Sequence, residues 1–578
     1  MLNSNTLLDN TVLRKPKLII MRKLFFVLSM GCLATGAFAQ SAIDAYRFSQ
    51  PDLRGTARFM GMGGAFGALG GDLSTLSQNP AGIGVYRSNE LGFTLDLDVQ
   101  KSTSDARGLK TSDNQTKFYL DNIGGVATIR LGSSVIPNLN FGFTYNKAVS
   151  FNRRYKGSID KLQTSMSNYI AGIANNQELT VPHVETTDTY DPYNPNDGGI
   201  QAPWLAILGY DSYLINPNGD PNNPSWTGQF GDGTSGKANF DVTERGSVDE
   251  YNIAFGGNIS NVVYWGMNFD IINFDYRLDA GYGEDLTGAY VYNPTTENVA
   301  ATDSRWRMRN AYRANGTGFN YQLGVIVKPI QELRLGLAFH TPTWYNLTET
   351  YSAGTSMQYY GQNLSASTND GYPGSQDYNF NSPWKVIASV AGVIGSKFII
   401  SADYEWNGYK TMKFSEANNY YGGDGYWDDP WDYDYYSVTP ASLNNDPYAY
   451  ENEDIKNVYR HTDTFRIGAE YRVTPSFSVR AGYSHVSSPV DSKAKNNDMT
   501  IFTAGTIPNY RFDNDTNYIT CGLGYRHKGF YIDLAYVYKQ MTSEYHAFTP
   551  DPKSSYQSPS AKLTFNNSRI VLSTGLKF

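Results

Sequence analysis

Histidine, serine and cysteine are the residue types in this chain that could catalyse a reaction, but their spacing does not support catalysis. None of the six histidines lies in a His-Glu-x-x-His run, and no Gly-x-Ser-x-Gly stands between a strand and a helix. Ser484 and His485 are adjacent, but neighbouring side chains on a strand point to opposite faces. Two cysteines, Cys32 and Cys521, exclude a disulfide framework and a zinc site. The sequence therefore predicts a protein that is not an enzyme and uses no cofactor or metal.

Charged residues at alternate positions form a second group with chemical potential. Arginine presents a planar fork of donors that suits a carboxylate, so these residues could select an acidic head group of a ligand. Pairing with each other or with water is the structural alternative. As candidates for the lining of an interior we take Arg466, Glu470, Arg472, Arg480 and Asp533.

Carboxylates and aromatic side chains are concentrated in residues 424–434. Their oxygens could bind calcium, or the tract could contact a sugar or a lipid head group. No EF-hand spacing is present, so a solvated extracellular loop is the alternative, and the role of the tract stays open.

A run of small residues near the N-terminus is the most specific motif in the chain. It does not fit a dinucleotide-binding loop, because Phe66 stands where the third glycine should be and no βαβ pattern follows. Small side chains instead permit close backbone packing, which suits a compact element wedged inside a larger structure. Pro80 fixes φ and Asn79 can cap the resulting turn, although both could simply end a helix. The residues of this motif are Gly61, Gly63, Gly64, Phe66, Asp72, Asn79, Pro80, Ala81 and Gly82.

Composition indicates which secondary structure must position these residues. Among 578 residues, 14% are aromatic, 18% are charged and 55 are glycine, which favours β-strands punctuated by turns. The mean hydropathy is -0.45 and no run of 18 apolar residues occurs, so a polytopic helical membrane protein is excluded. A net charge of -8 argues against binding to nucleic acid.

Apolar and polar side chains alternate along fourteen segments, as they do on strands with two different faces. Each segment has about the length that crosses a bilayer at a tilt. The predicted strands are residues 91–102, 121–131, 138–150, 248–259, 262–275, 315–328, 331–343, 383–395, 397–409, 461–473, 476–487, 515–526, 529–541 and 567–578.

The connections between these segments alternate in length. Short turns follow the even-numbered strands and long loops follow the odd-numbered ones, which is typical of an outer-membrane barrel. The sequence thus predicts an all-β fold: one 14-stranded antiparallel transmembrane β-barrel over residues 91–578, with both ends of the sheet on the periplasmic side. Its longest extracellular loops are 151–247 and 410–460. Residues 186–237 are rich in turn-forming residues, and we expect them to bury little apolar material.

The N-terminus resembles an export signal. Met21-Arg22-Lys23 precedes a short apolar stretch, and Ala37-Phe38-Ala39 gives a small-x-small cleavage signature. This layout predicts an upstream extension over 1–20, a signal peptide over 21–39 and a mature protein that begins at Gln40. The predicted location is the outer membrane of a Gram-negative-type bacterium.

The small-residue run and the Asn79-Pro80-Ala81-Gly82 motif together resemble the N-terminal hatch of the FadL/TodX family of outer-membrane hydrophobe transporters. The order of signal peptide, hatch (40–90) and fourteen strands is similar to that family too. The resemblance implies a hatch that plugs the lumen, capture of a hydrophobe near the extracellular loops, and exit through an opening in the wall.

Passive uptake of hydrophobic small molecules, such as long-chain fatty acids, is therefore the function we expect. A general porin is one alternative, although a plug argues against it. A surface-binding barrel that uses its long aromatic and acidic loops is another. The expected partners are a hydrophobic ligand, outer-membrane lipids and lipopolysaccharide, and the barrel is expected to be monomeric.

Overall fold

The structure is a computed structural model that describes residues 40–578 except 186–201, 294, 396, 418–445, 504 and 551–556. The expected upstream extension and signal peptide (1–39) and the acidic and aromatic tract (424–434) lie outside the described residues.

Strands account for most of the described chain. In order they are β1 (Glu90–Ala106), β2 (Leu109–Arg130), β3 (Asn138–Ser150), β4 (Arg153–Ile159), β5 (Ile215–Asp220), β6 (Asn223–Gly228), β7 (Ser235–Ile259), β8 (Val263–Asn293), β9 (Asn298–Val327), β10 (Leu333–His340), β11 (Trp344–Tyr359), β12 (Gln362–Ser367), β13 (Gly374–Asn381), β14 (Lys385–Ile394), β15 (Phe398–Gly408), β16 (Lys413–Glu416), β17 (His461–Arg472), β18 (Phe477–Val486), β19 (Tyr510–His527), β20 (Phe530–His546) and β21 (Ser560–Lys577).

Fourteen antiparallel strands form a closed barrel. Each pairs with its neighbours in chain order, and β1 pairs with β21 from Glu90↔Lys577 to Asp105↔Lys562, which closes the sheet. Four of the fourteen are interrupted and continue as a second segment: β3 as β4, β10 as β11, β13 as β14 and β15 as β16. The predicted 14-stranded barrel is confirmed, and all fourteen predicted strands are present.

Large apolar side chains point outward along the part of the barrel that crosses the membrane. Phe93, Phe143, Ile253, Leu323 and Ile519 are all at least 40% exposed. A closed sheet pairs its own backbone groups, so this surface can face hydrocarbon without unsatisfied N–H and C=O groups. An aromatic girdle marks its extracellular edge on neighbouring strands, where the outward side chains are Tyr251, Phe319, Tyr321 and Trp344.

Beyond this girdle apolar and polar side chains still alternate, but the apolar ones now point inward and the polar ones outward. On β9, Trp306, Met308 and Tyr312 point inward and are buried, while Arg307 and Arg309 point outward. The strands β7, β8 and β9 therefore reach well past the segments 248–259, 262–275 and 315–328 predicted for them. This extension lies beyond the hydrocarbon of the membrane, so its charged face is the outer one.

Helices occupy the N-terminal region and the extracellular connections. They are α1 (Ala42–Phe48), α2 (Ala57–Gly61), α3 (Met166–Asn176), α4 (Val181–Val184), α5 (Trp204–Asp211), α6 (Ala449–Val458) and α7 (Ser492–Lys495), with 3-10 helices at Leu73–Ser77, Pro80–Val85, Thr368–Gly371 and Tyr409–Thr411. No helix in the described ranges is long and apolar enough to cross a membrane.

The connection 151–247 is more ordered than a loop. It contains β4, three helices, the β5–β6 hairpin and the first part of β7. The expectation that 186–237 bury little apolar material is wrong for the part that is described. Leu205, Ile207 and Leu208 on α5 are buried, and Trp226 donates its indole N–H to the carbonyl of Leu179 at 2.7 Å. These contacts fold the connection over the extracellular mouth.

Candidate functional site

Residues 40–86, here called the N-terminal segment, run through the barrel interior from its extracellular half to the periplasmic rim. At the start, Phe48 packs between Phe274 and Phe380, with ring centroids 4.9 and 5.8 Å away. At the end, Asn140 on β3 donates to the carbonyl of Ile83 at 2.6 Å. The segment has no regular strand and is held by side chains of the wall.

The glycine run lets this segment lie directly against the wall. Gly63 has φ +64°, and a Cβ there would stand 2.9 Å from the backbone nitrogen of Tyr483. Gly482 and Gly468 are cross-strand partners on β18 and β17, and a Cβ on either would overlap the backbone of Met62. The absence of a Cβ on these glycines lets the two backbones come this close.

Phe66 and Asp72 make contacts within the N-terminal segment. Phe66 is fully buried, with its ring 5.6 Å from that of Phe59. Asp72 caps the 3-10 helix Leu73–Ser77 by accepting from the backbone N–H of Ser74 at 3.0 Å, and it also accepts from the Thr56 hydroxyl at 2.7 Å. A carboxylate at this position satisfies donors that the helix leaves free.

The Asn79-Pro80-Ala81-Gly82 motif forms the second 3-10 turn. The Asn79 side chain accepts from the backbone N–H of Ala81 at 3.1 Å and donates to the carbonyl of Gly67 at 2.6 Å. Pro80 is the first residue of the helix, where its missing N–H costs nothing. Gly82 accepts from the N–H of Gly71 at 3.2 Å. The motif thus ties the end of the segment to its middle.

One carboxylate of the wall holds the middle of the segment. Asp403 on β15 accepts from the backbone N–H groups of Phe66 and Gly67 at 2.9 and 3.0 Å, and from the Gln78 amide at 3.0 Å. Three donors converge on this single buried side chain. The sequence reasoning missed Asp403, although a carboxylate on the polar face of a membrane strand was a usable signal.

A larger ionic cluster anchors the beginning of the segment, and sequence reasoning missed it as well. The guanidinium of Arg54 lies 2.7 Å from Asp121, 2.8 Å from Asp52 and 3.3 Å from Asp96. Arg569 on β21 contacts Asp96 and Asp121 as well, at 2.5 and 2.9 Å. All five side chains are buried, and we call them the Arg54 cluster. It joins the segment to β1, β2 and β21.

Three of the five candidate lining residues are buried, and these three lie together. Arg480 contacts Glu470 at 2.7 Å and Asp533 at 2.6 Å, and Arg58 of the N-terminal segment contacts the same Glu470 at 2.9 Å. Their charges are thus matched within the wall and by the segment.

The remaining two candidates lie apart from that group. Arg466 pairs with Glu405 on the neighbouring strand at 2.7 Å. Arg472 is exposed at the periplasmic end of β17.

Aromatic and aliphatic side chains occupy most of the extracellular half of the interior, around buried ion pairs such as Arg153–Glu244 at 3.7 Å and Arg511–Asp513 at 3.0 Å. Tyr46 stacks on Tyr459 at 5.5 Å, and the cluster extends through the inward faces of β8, β9, β11 and β13. Two cavities that touch the N-terminal segment are small, about 30 Å³ beside Tyr46 and about 20 Å³ beside Arg54. A solute much larger than water cannot pass these points unless the segment moves.

The wall has a break in its backbone pairing between β2 and β3. These strands pair from Asn122↔Asn146 to Arg130↔Asn138, whereas residues 109–121 have no partner on that side among the described strands. After Ser150 the chain turns inward as β4, and Ser104 on β1 donates to the carbonyl of Lys156 at 2.6 Å. We call this unpaired stretch the β2–β3 seam. It begins at the level of Asp121, in the Arg54 cluster.

A buried carboxylate attaches the extracellular helix α3 to the wall. Glu284, on β8 beyond the aromatic girdle, accepts from the backbone N–H of Met166 at 3.0 Å and from the hydroxyls of Ser165 and Tyr282. Burial raises the pKa of Glu284 to about 7 despite these three donors.

This attachment should weaken as pH rises. The folded state keeps a proton that the detached state loses near its usual pKa of 4.5, so the stabilisation is complete below that pH and is lost as pH rises through about 7. The change is about 3 kcal/mol, which hydrogen exchange of the α3 amides between pH 5 and 8 can measure after correction for intrinsic rates. Glu284→Gln should remove the pH dependence, while Glu297→Gln, in the exposed turn after β8, should keep it. An unchanged dependence in Glu284→Gln would exclude this carboxylate as the cause.

A family profile described as outer membrane protein transport protein (OMPP1/FadL/TodX) matches residues 252–578, more than half of the chain. The chain belongs to the FadL/TodX family. Its members are outer-membrane transport proteins for hydrophobic compounds and are not enzymes, which confirms both the family resemblance and the expected class of function. No group of three His, Cys, Asp or Glu side chains in the described parts of this FadL/TodX member is placed to hold a metal ion.

Several solved structures are similar to this FadL/TodX chain. A Pseudomonas aeruginosa FadL homologue is 12% identical, with a TM-score of 0.48, over 92% of this chain and 100% of that one. The P. putida toluene transporter TodX is 13% identical, with a TM-score of 0.44, over 91% and 99%. The Ralstonia pickettii toluene transporter TbuX is 12% identical, with a TM-score of 0.41, over 91% and 98%. No curated protein sequence matches the chain significantly.

Proposed function

We propose that the chain is a passive channel for the uptake of hydrophobic small molecules such as long-chain fatty acids. The observation that carries the proposal is the change in the interior along the barrel axis. The extracellular half holds the largest apolar and aromatic cluster, and its buried ion pairs form one group (Arg47, Arg153, Arg511, Asp44, Glu244 and Asp513). The half below it is charged and occupied by the N-terminal segment. An apolar solute would partition favourably into the first half and not into the second.

The solute must then leave sideways. The β2–β3 seam begins where the apolar interior meets the Arg54 cluster, and at this end its exposed Phe118 and Leu120 side chains face the bilayer. Backbone groups along the seam lack a ladder partner, so strands can separate there without the loss of existing pairs. Exit at this level would deliver the solute into the membrane without crossing the charged half.

In this proposal the N-terminal segment acts as a hatch, and residues 40–90 and 91–578 are the hatch and the barrel. Residues 21–39 serve as the export signal, after an upstream extension over 1–20. The segment moves aside for passage, and its glycines make small backbone changes inexpensive. The barrel works as a monomer, and its nine hatch residues hold the hatch together. Glu470, supported by Arg480 and Asp533, positions the hatch through Arg58 instead of binding the solute by charge.

Uptake of labelled oleate by deletion cells tests the proposal. The cells carry the wild-type chain, an empty vector or Asn79→Ala/Pro80→Ala, at equal surface levels. Wild type should restore uptake. The double variant should lower uptake at least threefold, because the loss of the two Asn79 hydrogen bonds costs about 1–3 kcal/mol and loosens the hatch.

A matched control separates the hatch from general damage. Thr474→Ala/Pro475→Ala changes the same kind of residues in an exposed periplasmic turn and should leave uptake unchanged. Equal uptake with wild type and empty vector would remove fatty acid as the substrate, and bulkier hydrophobes would be tested next. Full uptake by the Asn79 and Pro80 variant would exclude the proposed role of the motif.

A further inference from the structure

A row of arginines lies on the outer surface of β9, beyond the aromatic girdle. Arg305, Arg307, Arg309 and Arg313 point outward, and their side chains are 71, 38, 66 and 45% exposed. The intervening side chains point inward and are buried. The row therefore contributes nothing to the interior of the barrel.

The neighbouring strands extend this row into a surface. Arg245, Arg277 and Arg313 are cross-strand partners on β7, β8 and β9, so three cations stand side by side. Lys237, Asp285 and Arg305 are partners in the same way. From the level of Asp275 to that of Lys237, seven basic side chains (Lys237, Arg245, Arg277, Arg305, Arg307, Arg309, Arg313) face outward against four carboxylates (Asp241, Asp275, Asp279, Asp285).

The carboxylates do not neutralise this surface. Asp275 is shared by Arg277 and Arg313, at 3.3 and 3.1 Å. Asp285 is likewise shared by Lys237 and Arg305, at 3.8 and 2.5 Å. Each bridging carboxylate meets two cations, so positive charge and free guanidinium donors remain. Exposed ion pairs contribute little to stability, so the stability of the fold does not account for this concentration of arginines.

The height of this surface above the membrane identifies its surroundings. Arg313 lies six residues beyond Phe319 of the girdle on the same strand. At about 3.3 Å per residue and a tilt of about 40°, this separation is roughly 15 Å along the membrane normal. Arg245, Arg277 and Arg313 thus lie beyond the hydrocarbon, at the level of the head groups of the outer leaflet. Arg309, Arg307 and Arg305 are four to eight residues farther along β9 and lie roughly 10–20 Å higher, at the level of the saccharide.

We propose that this arginine-rich surface, made of the outward basic residues of β7, β8 and β9, binds the phosphate-bearing head group and inner saccharide of lipopolysaccharide. Guanidinium groups bind phosphate through two parallel hydrogen bonds, and the adjacent Arg245, Arg277 and Arg313 supply three within one head group's reach. At its extracellular end, an open groove of about 650 Å³ is lined mainly by polar side chains such as Lys237, Asp285, Arg305 and Gln358, together with Leu286, Tyr359 and Tyr360. Polar groups beside aromatic rings suit a sugar.

The same surface does not fit a protein partner. Stable protein interfaces have a buried core with aromatic and apolar anchors. The outward residues of β11 beside the arginines are instead Thr350, Ser352, Gly354 and Ser356, which are small and mostly polar. The positive charge of the surface instead complements an anionic, sugar-bearing lipid.

Binding of purified lipopolysaccharide to the full chain in nanodiscs tests the proposal. The variant Arg245→Gln/Arg277→Gln/Arg313→Gln should bind rough-type lipopolysaccharide about 100-fold more weakly, since each arginine near an anionic lipid surface contributes about 1 kcal/mol. The control Lys101→Gln/Lys110→Gln/Lys117→Gln removes three exposed cations from β1 and β2 and should change binding less than threefold. Wild-type affinity should fall steeply with salt.

Further arms separate the sources of negative charge. Dephosphorylated lipopolysaccharide should bind wild type as weakly as intact lipopolysaccharide binds the arginine variant. Phosphatidylglycerol, with one phosphate and no saccharide, should bind wild type more weakly than lipopolysaccharide does and should lose less affinity in the arginine variant. Unchanged affinity in the arginine variant, an equal loss in the lysine control, or equal binding of phosphatidylglycerol and lipopolysaccharide to wild type would each overturn the proposal.

Oleate uptake distinguishes this proposal from the transport function. The surface lies outside the barrel, so the arginine variant should retain wild-type uptake in cells with equal surface levels. Loss of lipopolysaccharide binding with intact uptake is the expected pair of results. Loss of uptake together with intact binding would overturn the separation of the two roles.

Discussion

Replacing Arg54 with methionine should destabilise the protein by about 3–5 kcal/mol, because the change leaves buried carboxylates without a cation. Arg54 lies within 3.3 Å of Asp52, Asp96 and Asp121, which belong to the N-terminal segment, β1 and β2. Arg569 remains, as does Lys539, which lies 3.1 Å from Asp52, but two cations cannot match three carboxylates. Denaturant unfolding of the protein in lipid vesicles, followed by tryptophan fluorescence, measures the loss.

Two further variants identify the cause of this effect. Lys110→Met breaks an ion pair with Asp105 at 3.7 Å whose lysine side chain is 69% exposed, and it should cost less than about 1 kcal/mol. Arg54→Met/Asp121→Asn removes a charge of each sign and should recover part of the lost stability. Wild-type stability in Arg54→Met, or no recovery in the double variant, would show that the cluster is not the anchor we describe.

The strand count could be predicted from the sequence because lipid imposes a single rule on every membrane strand. Side chains such as Phe465 and Ile467 must face hydrocarbon, while Arg466 and Glu470 face inward. The rule is local in sequence, so alternation within about a dozen residues suffices.

The extensions of β7, β8 and β9 were missed because there the rule is reversed. Beyond the girdle, Trp306 and Met308 point inward and Arg305 and Arg307 point outward. A search for membrane strands expects apolar residues on the outer face, so it classifies this stretch as a loop. The sequence nevertheless contained a signal for these extensions. Apolar and polar residues continue to alternate with period two, and only the face that carries the apolar residues changes.

The contacts of the N-terminal segment were only partly predictable. Its glycines and the Asn79-Pro80 turn are local features, and a single chain displays them. The Arg54 cluster joins residues that are far apart in sequence, such as Asp96 and Arg569, so no spacing rule reveals it. Only the presence of charges on the inward faces of β1, β2 and β21 hinted that something must pair with them.

Gly482→Val should displace the N-terminal segment and open the barrel. Gly482 faces the backbone of Met62 and Gly63, and a Cβ on it would overlap the Met62 carbonyl carbon and the Gly63 nitrogen. The N-terminal segment cannot avoid this Cβ by a small shift along the wall, because Gly63 already has φ +64° and lies against the backbone of Tyr483. Overpacking of this kind costs about 1–3 kcal/mol or more, which is enough to raise the population of a displaced segment at least tenfold. Ion conductance of the purified protein in planar bilayers should rise accordingly.

A graded series and a matched glycine make this expectation specific. Gly482→Ala should give a smaller rise than Gly482→Val, since both overlap Met62 but valine adds two methyl groups. Gly392, on β14, meets the Ile400 side chain at 3.4 Å and no other atom within 4 Å, so Gly392→Val should leave conductance unchanged. Valine is favoured in strands, and neither substitution should weaken the sheet itself. Wild-type conductance in Gly482→Val would mean that the segment does not close the barrel at this contact, whereas a rise in both valine variants would point to general loosening of the wall.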